Sequence, residues 1–522
     1  MKKLLNIDEL STEQKLGMLM CARYFHPNDK ENLEYTLALI KNHSLGCVQV
    51  PLSQLNVMKE VLAVADYPII IITDMEMGYP NGKLPKIPLM ALAACDNDEY
   101  YRAFARGTIY EAKIDGYNSM WGPVLDVLQS DGPCSVHRHF SDDPVRVGRA
   151  AELIAEVCAQ NNFLTCGKHY PGGEAVTIDL HMTNTPSDVS KESIINLDLV
   201  PYKYLMEKGL LPSIMTSHRV IRDIDPEHPA SLSKKVNDII RDMGFDGLCF
   251  TDSMAMMAIL QDWGEENILG VAVAAGNDIV LPNYRSTNKQ SFEMLKKNYY
   301  DGAFSEERLN EAVRRVLAVQ QMLGSAPETC EFTDDDRMSL DNVAKDCITA
   351  ITDDGVTAAL DTDNKKLFVI LTDNKTSKEI AGEVCFGKWY NPNNIADKIR
   401  QEFPDSDIEF FPEFPSATDN ERVLLAATKH SEVVFITYCA TGPYLGTDCL
   451  TRRVEYVINS LIVSGKVSAV LHFGNPFAVK PLLHTPRRLF GYMMPDSQLH
   501  AIDVLAGKLE AKGTLPFKID FE

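Results

Sequence analysis

Eight short apolar runs, most of them separated by helical stretches, constrain the fold of this chain more than any other feature. The runs cover residues 19–22, 46–50, 68–73, 119–124, 163–166, 213–216, 247–250 and 278–281. Continuous apolar runs of this length are typical of strands that are buried on both faces, as in a parallel sheet. Eight such strands alternating with helices predict a (β/α)8 barrel of the TIM type, an α/β fold.

The length of the chain predicts a second domain. One hydrophobic core rarely exceeds about 250 to 300 residues, and this chain has 522. A helix that begins after Ser305 and ends near Gly324 closes the first domain, and a stretch with proline and acidic residues follows it. We therefore expect a catalytic barrel at residues 1–325, a linker at 326–340 and a smaller α/β sheet domain at 341–522.

The pattern restarts in the second domain. Its predicted strands are residues 367–371, 433–437, 467–471 and 489–492. The end of the chain, from residue 505 to residue 517, has the pattern of a helix, a turn and an edge strand.

The charge of the chain limits its ligands. The 51 Lys and Arg residues stand against 73 Asp and Glu residues, which gives a net charge of −22. This charge opposes binding to nucleic acid or to an anionic membrane surface, so a neutral or weakly charged ligand is expected. No glycine motif that would cradle a phosphate occurs in the sequence, and we expect no cofactor. The sequence leaves the oligomeric state open.

The cysteine pattern and the N-terminus predict the compartment. The 12 cysteines include no C-x-x-C pair, which favours buried thiols in a reducing compartment over a disulfide frame or a zinc site. Polar residues at positions 6, 8 and 9 interrupt any signal-peptide core, and no apolar stretch reaches the roughly 18 residues of a membrane span. We expect a soluble, cytoplasmic protein that binds no metal.

Polar side chains follow four of the predicted strands. They are Asp74 with Glu76, Lys168 with His169, Ser217 with His218, and Asp252 with Ser253. An aspartate after a strand is often only the N-cap of the next helix, and this alternative holds for Asp74 or Asp252 taken singly. Because the carboxyl ends of barrel strands meet at one rim, four such ends together indicate an active site.

The loop after the fifth strand contains Asp179 and His181 on either side of one residue. A carboxylate at this spacing can hold one imidazole nitrogen while the other nitrogen faces a substrate. Taken alone, the pair is more typical of a solvated turn in a glycine-rich loop. The polar residues at the neighbouring strand ends favour the functional interpretation.

These segments resemble glycoside hydrolase family 3, and specifically its β-N-acetylglucosaminidase branch. That branch carries a K-H-F-P-G-H-G-D-T-x-x-D-S-H stretch, which residues 168–172 and 179–181 match at equal length. The other similar segments are residues 74–76, 122–127, 138–144, 215–218, 229–233, 244–254 and 275–278. The resemblance covers nearly all of the first predicted domain.

The resemblance implies a role for each site residue. Asp252 would be the nucleophile, and His181, oriented by Asp179, would be the general acid/base. The sugar hydroxyls would bind to Asp74, Arg138, Lys168 and His169. The implied activity is that of a retaining, exo-acting β-N-acetylhexosaminidase that removes terminal β-linked N-acetylglucosamine through a covalent glycosyl-Asp intermediate. Its partner would be a small carbohydrate.

Two segments depart from the family pattern. Residues 173–176 replace a His-Gly-Asp-Thr sequence, so Glu174 could compete with His181 as the acid. At Tyr79 the family has an arginine at the edge of the sugar pocket. Three alternatives therefore stay open: a β-glucosidase-type enzyme, an inactive sugar-binding relative, and a β-glycoside phosphorylase, because a neutral imidazole repels phosphate less than a carboxylate does.

Overall fold

The computed structural model describes residues 2–23, 29–50, 54–129, 136–173, 178–372, 389–439 and 449–521. The chain forms two compact units. The first comprises Met1–Leu84, Tyr101–Gln129 and Asp143–Arg337, and the second comprises Pro85–Tyr100, Ser130–Asp142 and Met338–Glu522. Two short segments from the first third of the chain thus belong to the second unit. The domain limits expected from the sequence, 1–325 and 341–522, stay a prediction.

The first unit contains an eight-stranded parallel sheet whose strand order follows the chain. The strands are β1 (Cys21–Arg23), β2 (Cys47–Gln49), β3 (Ile70–Asp74), β4 (Ser119–Val124), β5 (Leu164–Tyr170), β6 (Ser213–Thr216), β7 (Leu248–Ser253) and β8 (Ile279–Leu281). A parallel bridge between Met20 and Val280 joins the last strand to the first. Each of the eight apolar runs overlaps one of these strands, and the predicted barrel fold is confirmed.

The barrel strands are buried on both faces, which explains their continuous apolar sequences. Every residue of β2, β4, β6 and β8 is buried. The interior is filled by large side chains: Trp121 on β4 and Phe250 on β7 pack edge to face with ring centroids 4.9 Å apart. Side chains that fill a barrel in this way leave only its ends available for a ligand.

Helices separate most of the strands. In chain order the α-helices of more than three residues that the structure describes are Thr12–Met18, Lys30–Lys41, Leu55–Val64, Leu89–Cys95, Asp98–Ile114, Pro144–Gln160, Val200–Glu207, Lys234–Asp242, Met257–Trp263, Ile268–Ala274, Asn288–Tyr300, Glu306–Gly324, Asp334–Asp346, Pro392–Glu402, Ala417–Thr428, Arg452–Val463 and Pro495–Leu505. Ser305 caps the helix Glu306–Gly324, as the sequence predicts. Among the described residues, no helix is long and apolar enough to cross a membrane.

The helix Asp334–Asp346 begins inside the segment that the sequence predicted to be a linker. Its first turn contains Asp334, Asp335 and Asp336. Negative charge is favoured at a helix N-terminus because the backbone N–H groups there are unpaired and the helix dipole is positive. The acidic run that suggested a linker is therefore the start of a helix.

The second unit contains a six-stranded sheet in the order β11-β10-β12-β13-β14-β9. Its strands are β9 (Thr349–Thr352), β10 (Leu367–Thr372), β11 (Asp407–Pro412), β12 (Val433–Tyr438), β13 (Val467–Phe473) and β14 (Arg487–Gly491). All pair in parallel except β9, which is antiparallel to β14. The four predicted strands are confirmed, whereas β9 and β11 were not predicted.

The edge strand predicted at the end of the chain is wrong. Residues 508–521 contain no strand, and Gly513 makes only an isolated bridge with Thr349. Pro516 has no backbone N–H to donate to a neighbouring strand, which limits pairing at this point. The segment near the end of the chain that was predicted to be an edge strand is therefore irregular.

Candidate active site

Lys168, near the end of β5, joins two carboxylates at the mouth of the barrel. Its Nζ lies 2.9 Å from Asp74 Oδ1 and 2.5 Å from Glu76 Oε1. The Lys168 side chain is buried, and a buried ammonium group requires such partners. The Asp74 side chain, in contrast, is 62% exposed. Lys168 therefore fixes Asp74 while leaving that carboxylate accessible to a ligand.

His169, the next residue of β5, is held by a buried carboxylate. Asp126 Oδ2 lies 2.7 Å from His169 Nδ1, and Asp126 Oδ1 accepts a hydrogen bond from the His169 backbone N–H at 3.0 Å. Because a carboxylate only accepts, the proton of this contact is on Nδ1. The interaction fixes the orientation of the ring relative to the strand end.

Asp252 lies near the end of β7 and is surrounded by hydrogen-bond donors and imidazoles. Its Oδ1 accepts a hydrogen bond of 2.6 Å from the Ser253 N–H. Burial raises the pKa of this carboxyl, but His169, His218, the Ser253 N–H and His181 outweigh burial and lower the pKa of Asp252 to about 2. Asp252 is consequently ionised at neutral pH.

His218 is fully buried behind the same turn. Its Nε2 lies 2.9 Å from the Ser253 carbonyl oxygen, and its Nδ1 lies 2.8 Å from Ser231 Oγ. Burial lowers the pKa of His218, although Asp252 acts in the opposite direction. A neutral ring that donates from Nε2 to the carbonyl and accepts at Nδ1 from the hydroxyl satisfies both contacts. His218 therefore supports the Asp252 turn and is not exposed to a substrate.

Asp179 and His181 are in contact, as their spacing predicts. Asp179 Oδ1 lies 2.7 Å from His181 Nδ1 and accepts a second hydrogen bond from the His181 backbone N–H at 2.8 Å. The Asp179 side chain is 7% exposed and that of His181 is 32% exposed. A proton on Nδ1 faces the carboxylate, which leaves Nε2 as the nitrogen that can exchange a proton with a ligand.

The helix that follows β7 holds the loop of this pair. The backbone N–H groups of Met257 and Ala258 donate to the carbonyl oxygens of His181 and Leu180, at 3.4 and 3.2 Å. These are N–H groups of the first turn of the helix Met257–Trp263, which have no partner within the helix itself. The Asp179–His181 pair is therefore attached to the element that continues from the Asp252 strand.

A sequence model described as the glycosyl hydrolase family 3 N-terminal domain matches residues 12–319, more than half of the chain. The chain belongs to glycosyl hydrolase family 3. Membership places it among the glycoside hydrolases, and the region matched contains the barrel and every site residue described above.

Individual relatives agree with the family. A beta-N-acetylglucosaminidase/beta-glucosidase of Cellulomonas fimi is 26% identical over 338 residues, which cover 60% of this chain and 58% of the relative. The chain thus spans a little over half the length of that relative. A family 3 beta-N-acetylglucosaminidase structure from Paenibacillus sp. str. FPU-7 superposes with a TM-score of 0.80 at 22% identity and covers 98% of this chain and 99% of its own.

A second solved structure is named for a different activity. It is a beta-glucoside phosphorylase, which superposes with a TM-score of 0.81 at 19% identity and covers 98% of this chain and 95% of its own. At identities below 25% these structural likenesses establish the fold that family 3 members share. They do not distinguish one substrate or acceptor from another.

The other residues named from the sequence are Arg138, Glu174 and Tyr79. Arg138 ends the short helix Val136–Arg138, which belongs to the second unit, and its role stays a prediction. Glu174, the competing acid, lies outside the described residues. Tyr79, at the family's arginine position, is buried and donates from its hydroxyl to Asp115 Oδ2 at 2.5 Å. Tyr79 therefore supports the fold here.

Four further residues belong to the site: Arg23, Glu76, Asp126 and His218. The sequence pattern indicated Glu76 and His218 as polar residues at strand ends without giving them a role, whereas it did not single out Arg23 or Asp126. Glu76, Asp126 and His218 lie within the segments that resemble family 3, and each follows a strand by a few residues. Arg23 is the last residue of β1. It could have been found in the same way as the other site residues, because it is a polar side chain directly after an apolar run.

Proposed function

We propose that the protein is a retaining, exo-acting β-N-acetylhexosaminidase that releases terminal β-linked N-acetylglucosamine through a covalent glycosyl intermediate on Asp252. The observation that carries the proposal is the presence, in one barrel mouth, of an ionised, half-buried carboxylate and an imidazole oriented by its own carboxylate. A retaining glycosidase requires these two groups, one as nucleophile and one as proton donor.

In the first step the Asp252 carboxylate attacks the anomeric carbon while the bond to the leaving oxygen breaks. His181 in its protonated form gives the Nε2 proton to that oxygen. Asp179 accepts the hydrogen bond from Nδ1 and stabilises the imidazolium before the transfer. The products of this step are the free aglycone and a glycosyl ester on Asp252.

In the second step His181, now neutral, removes a proton from water through Nε2. The oxygen of that water attacks the anomeric carbon and displaces the Asp252 carboxylate, which returns to its ionised form. The two displacements together retain the anomeric configuration. One histidine therefore serves both steps, because an imidazole that has given its proton to the leaving oxygen can accept a proton from water.

Recognition of the sugar is assigned to the residues that border Asp252. Asp74 is exposed and held by Lys168, so it can accept a hydrogen bond from a sugar hydroxyl. We assign Lys168 and His169 as hydrogen-bond donors to sugar hydroxyls. From the family resemblance we also assign a contact between Arg138 and a sugar hydroxyl. Each charge-assisted contact is worth about 1.5 to 3 kcal/mol. The Cellulomonas fimi relative, named for N-acetylglucosaminidase and glucosidase activity, supports a gluco-configured sugar.

Phosphorolysis is the second candidate function. It is favoured because the proposed acid/base is a histidine and not a carboxylate. A neutral imidazole repels an incoming phosphate less than a carboxylate does, and one structural neighbour is named a beta-glucoside phosphorylase. Reactions with and without phosphate, followed for sugar-1-phosphate, separate the two activities. We expect free sugar and no dependence on phosphate. A phosphate-dependent rate with sugar-1-phosphate as product would replace hydrolysis by phosphorolysis.

The covalent step is tested by trapping. A fluorinated N-acetylglucosaminyl fluoride forms the intermediate and slows its breakdown, so the labelled residue can be identified by mass spectrometry of a digest. We expect the label on Asp252, and no label on the Asp252→Asn variant. Binding of the reagent without a covalent label would indicate an inactive sugar-binding relative. Matched aryl N-acetylglucosaminides and aryl glucosides show which sugar is preferred.

A further inference from the structure

Arg23 connects four strands at the seam where the barrel closes. Its Nε donates to Gln49 Oε1 at 3.0 Å, at the end of β2. Its Nη1 donates to Ser253 Oγ at the end of β7, and more weakly to the Pro282 carbonyl oxygen after β8 at 3.4 Å. Arg23 itself ends β1. One guanidinium thus joins the first two strands of the barrel to the last two.

The Ser253 contact carries the effect of Arg23 to the nucleophile. The Ser253 N–H donates to Asp252 Oδ1 at 2.6 Å, and the Ser253 carbonyl accepts from His218. The Ser253 hydroxyl oxygen also accepts from the Ala255 N–H at 3.3 Å. Arg23 and His218 therefore hold opposite groups of the residue whose N–H orients the Asp252 carboxylate. Movement of Ser253 would move the attacking oxygen.

The charge of Arg23 suits this role better than recognition of an anionic substrate. Burial lowers the pKa of Arg23, and the nearby side chains of Cys21, Asp74 and Asp252 act in the opposite direction. Within the described part of the chain, the carboxylates at the mouth outnumber the cations Arg23 and Lys168; the carboxylates are those of Asp74, Glu76, Asp126, Asp179 and Asp252. An anionic group on the sugar would meet this excess of negative charge, so Arg23 balances carboxylates that are already present.

We propose that Arg23 is a positioning residue that fixes the Ser253 turn and so aims the Asp252 carboxylate at the anomeric carbon. The inference rests on the proposed function, in which Asp252 is the nucleophile. Misplacement of a reacting group by about 1 Å can cost about 100-fold in rate. Loss of the guanidinium therefore slows the attack of Asp252 and leaves the proton transfers of His181 unchanged.

The test measures the attack step alone. Wild type, Arg23→Gln and Arg23→Lys are compared for the rate of covalent labelling by the fluorinated N-acetylglucosaminyl fluoride, whose fluoride leaving group needs little acid assistance. The value of kcat/KM on aryl N-acetylglucosaminides is measured with leaving groups of different basicity. Arg23→Gln is expected to lower both rates by about 100-fold, equally for all leaving groups, and Arg23→Lys is expected to recover part of the loss.

Arg285→Gln is the matched control. The guanidinium groups of Arg285 and Arg23 lie 4.8 and 5.1 Å from the centroid of the same Tyr284 ring. Arg285 Nη1 donates to the Ala255 carbonyl oxygen at 3.1 Å. Since the Ser253 hydroxyl contact belongs to Arg23, Arg285→Gln should change the labelling rate by no more than about twofold.

The outcomes separate the inference from the proposed function. Thermal unfolding of each variant is recorded, and rates are expressed per folded molecule. Labelling of folded Arg23→Gln at the wild-type rate would overturn the positioning role while leaving Asp252 as nucleophile. If Arg23→Gln does not fold, a wild-type labelling rate for folded Arg23→Lys overturns it in the same way. Absence of any label on wild-type Asp252 would reject the proposed function, and the positioning role with it.

Discussion

At the scale of the residue, the partner of each histidine near Asp252 determines what its ring can do. His169 and His181 both have a carboxylate oxygen 2.7 Å from Nδ1, that of Asp126 and that of Asp179. His218 is instead buried against a hydroxyl and a carbonyl. Two carboxylate-oriented imidazoles therefore lie close to the proposed nucleophile, and we assign the proton transfers to only one of them.

Substitution of the two aspartates distinguishes these imidazoles. Asp179→Asn should lower kcat/KM by about 100-fold or more on glycosides with poor leaving groups, and by much less on activated aryl glycosides, because its carboxylate stabilises the imidazolium that donates the proton. Asp126→Asn should lower kcat/KM to a similar extent for all leaving groups, since the role proposed for His169 is to bind the sugar. The measurement is kcat/KM across a series of aryl N-acetylglucosaminides. A leaving-group dependence in Asp126→Asn and not in Asp179→Asn would transfer the acid role to His169.

Lys168 provides a second prediction at this scale. Lys168→Met removes the cation shared by Asp74 and Glu76, so kcat/KM should fall by about 10- to 100-fold on every good substrate. Lys234→Met is the control, because Lys234 is exposed and pairs with the half-exposed Asp238 one turn along the same helix. Steady-state kinetics on both folded variants checks this. Equal turnover by the two variants would make Lys168 a purely structural residue.

At the scale of the element, buried Asp278 fixes the strands at the end of the barrel opposite the mouth. It precedes β8, is fully buried, and forms ion pairs with Arg241, Arg308 and Arg315. Its Oδ2 also accepts from the Cys249 N–H on β7 at 2.9 Å. One carboxylate thus joins β7 and the start of β8 to three surrounding cations. Such a cluster is costly to break because its members are removed from water.

Asp246, a second ion-pair partner of Arg315, provides the control for this cluster in an unfolding experiment. Asp278→Ala leaves three arginines without their shared carboxylate and should lower the free energy of unfolding by about 3 to 5 kcal/mol. Asp246 also pairs with Arg315 but is 90% exposed. Asp246→Ala should therefore change the free energy of unfolding by less than about 1 kcal/mol. Urea unfolding of both variants checks the difference, and similar values would contradict the account of the cluster.

At the scale of the whole molecule, the sequence predicted the elements that are buried and missed those that are not. The barrel strands contain apolar runs because both of their faces are covered. The edge strand β11, Asp407–Pro412, is largely accessible and contains charged residues, so it has no apolar run to detect. The Arg23–Ser253 contact joins residues 230 positions apart. A local pattern cannot indicate such a contact, whereas the contact between Asp179 and His181 could be inferred from their spacing.

For the whole molecule we predict that the free energy of unfolding depends on pH. The buried carboxyl of Asp198 causes this dependence. Asp198 Oδ1 accepts from the Gly173 N–H at 2.8 Å and from Gln129 Nε2 at 2.5 Å. Among the described residues, Oδ2 has no hydrogen-bond partner. Burial, followed by the charge of Asp126, raises the pKa of Asp198 from 3.8 to about 7, although the Gly173 N–H, Gln129 and Arg219 act against the shift.

A raised pKa in the folded state means that folding favours the protonated carboxyl. This contribution to stability is fully present below the unfolded pKa of 3.8 and is lost as the pH rises to about 7. Asp198→Asn cannot ionise, so the stability of wild type relative to this variant should fall by up to about 1.4 kcal/mol per pH unit in that window. Urea unfolding of both proteins at several pH values checks this. Parallel curves would show that Asp198 does not titrate there.

The roles proposed for Asp252 and His181 are tested together by identifying the product that His181→Ala forms in the presence of azide. Without its acid/base the variant should retain the first step on activated aryl N-acetylglucosaminides and accumulate the Asp252 ester, because water lacks a base. Azide needs no deprotonation and should restore turnover with a β-glycosyl azide as product, which records both the covalent intermediate and the role of His181. Azide rescue of Glu174→Ala and not of His181→Ala, or an α-glycosyl azide, would contradict the account.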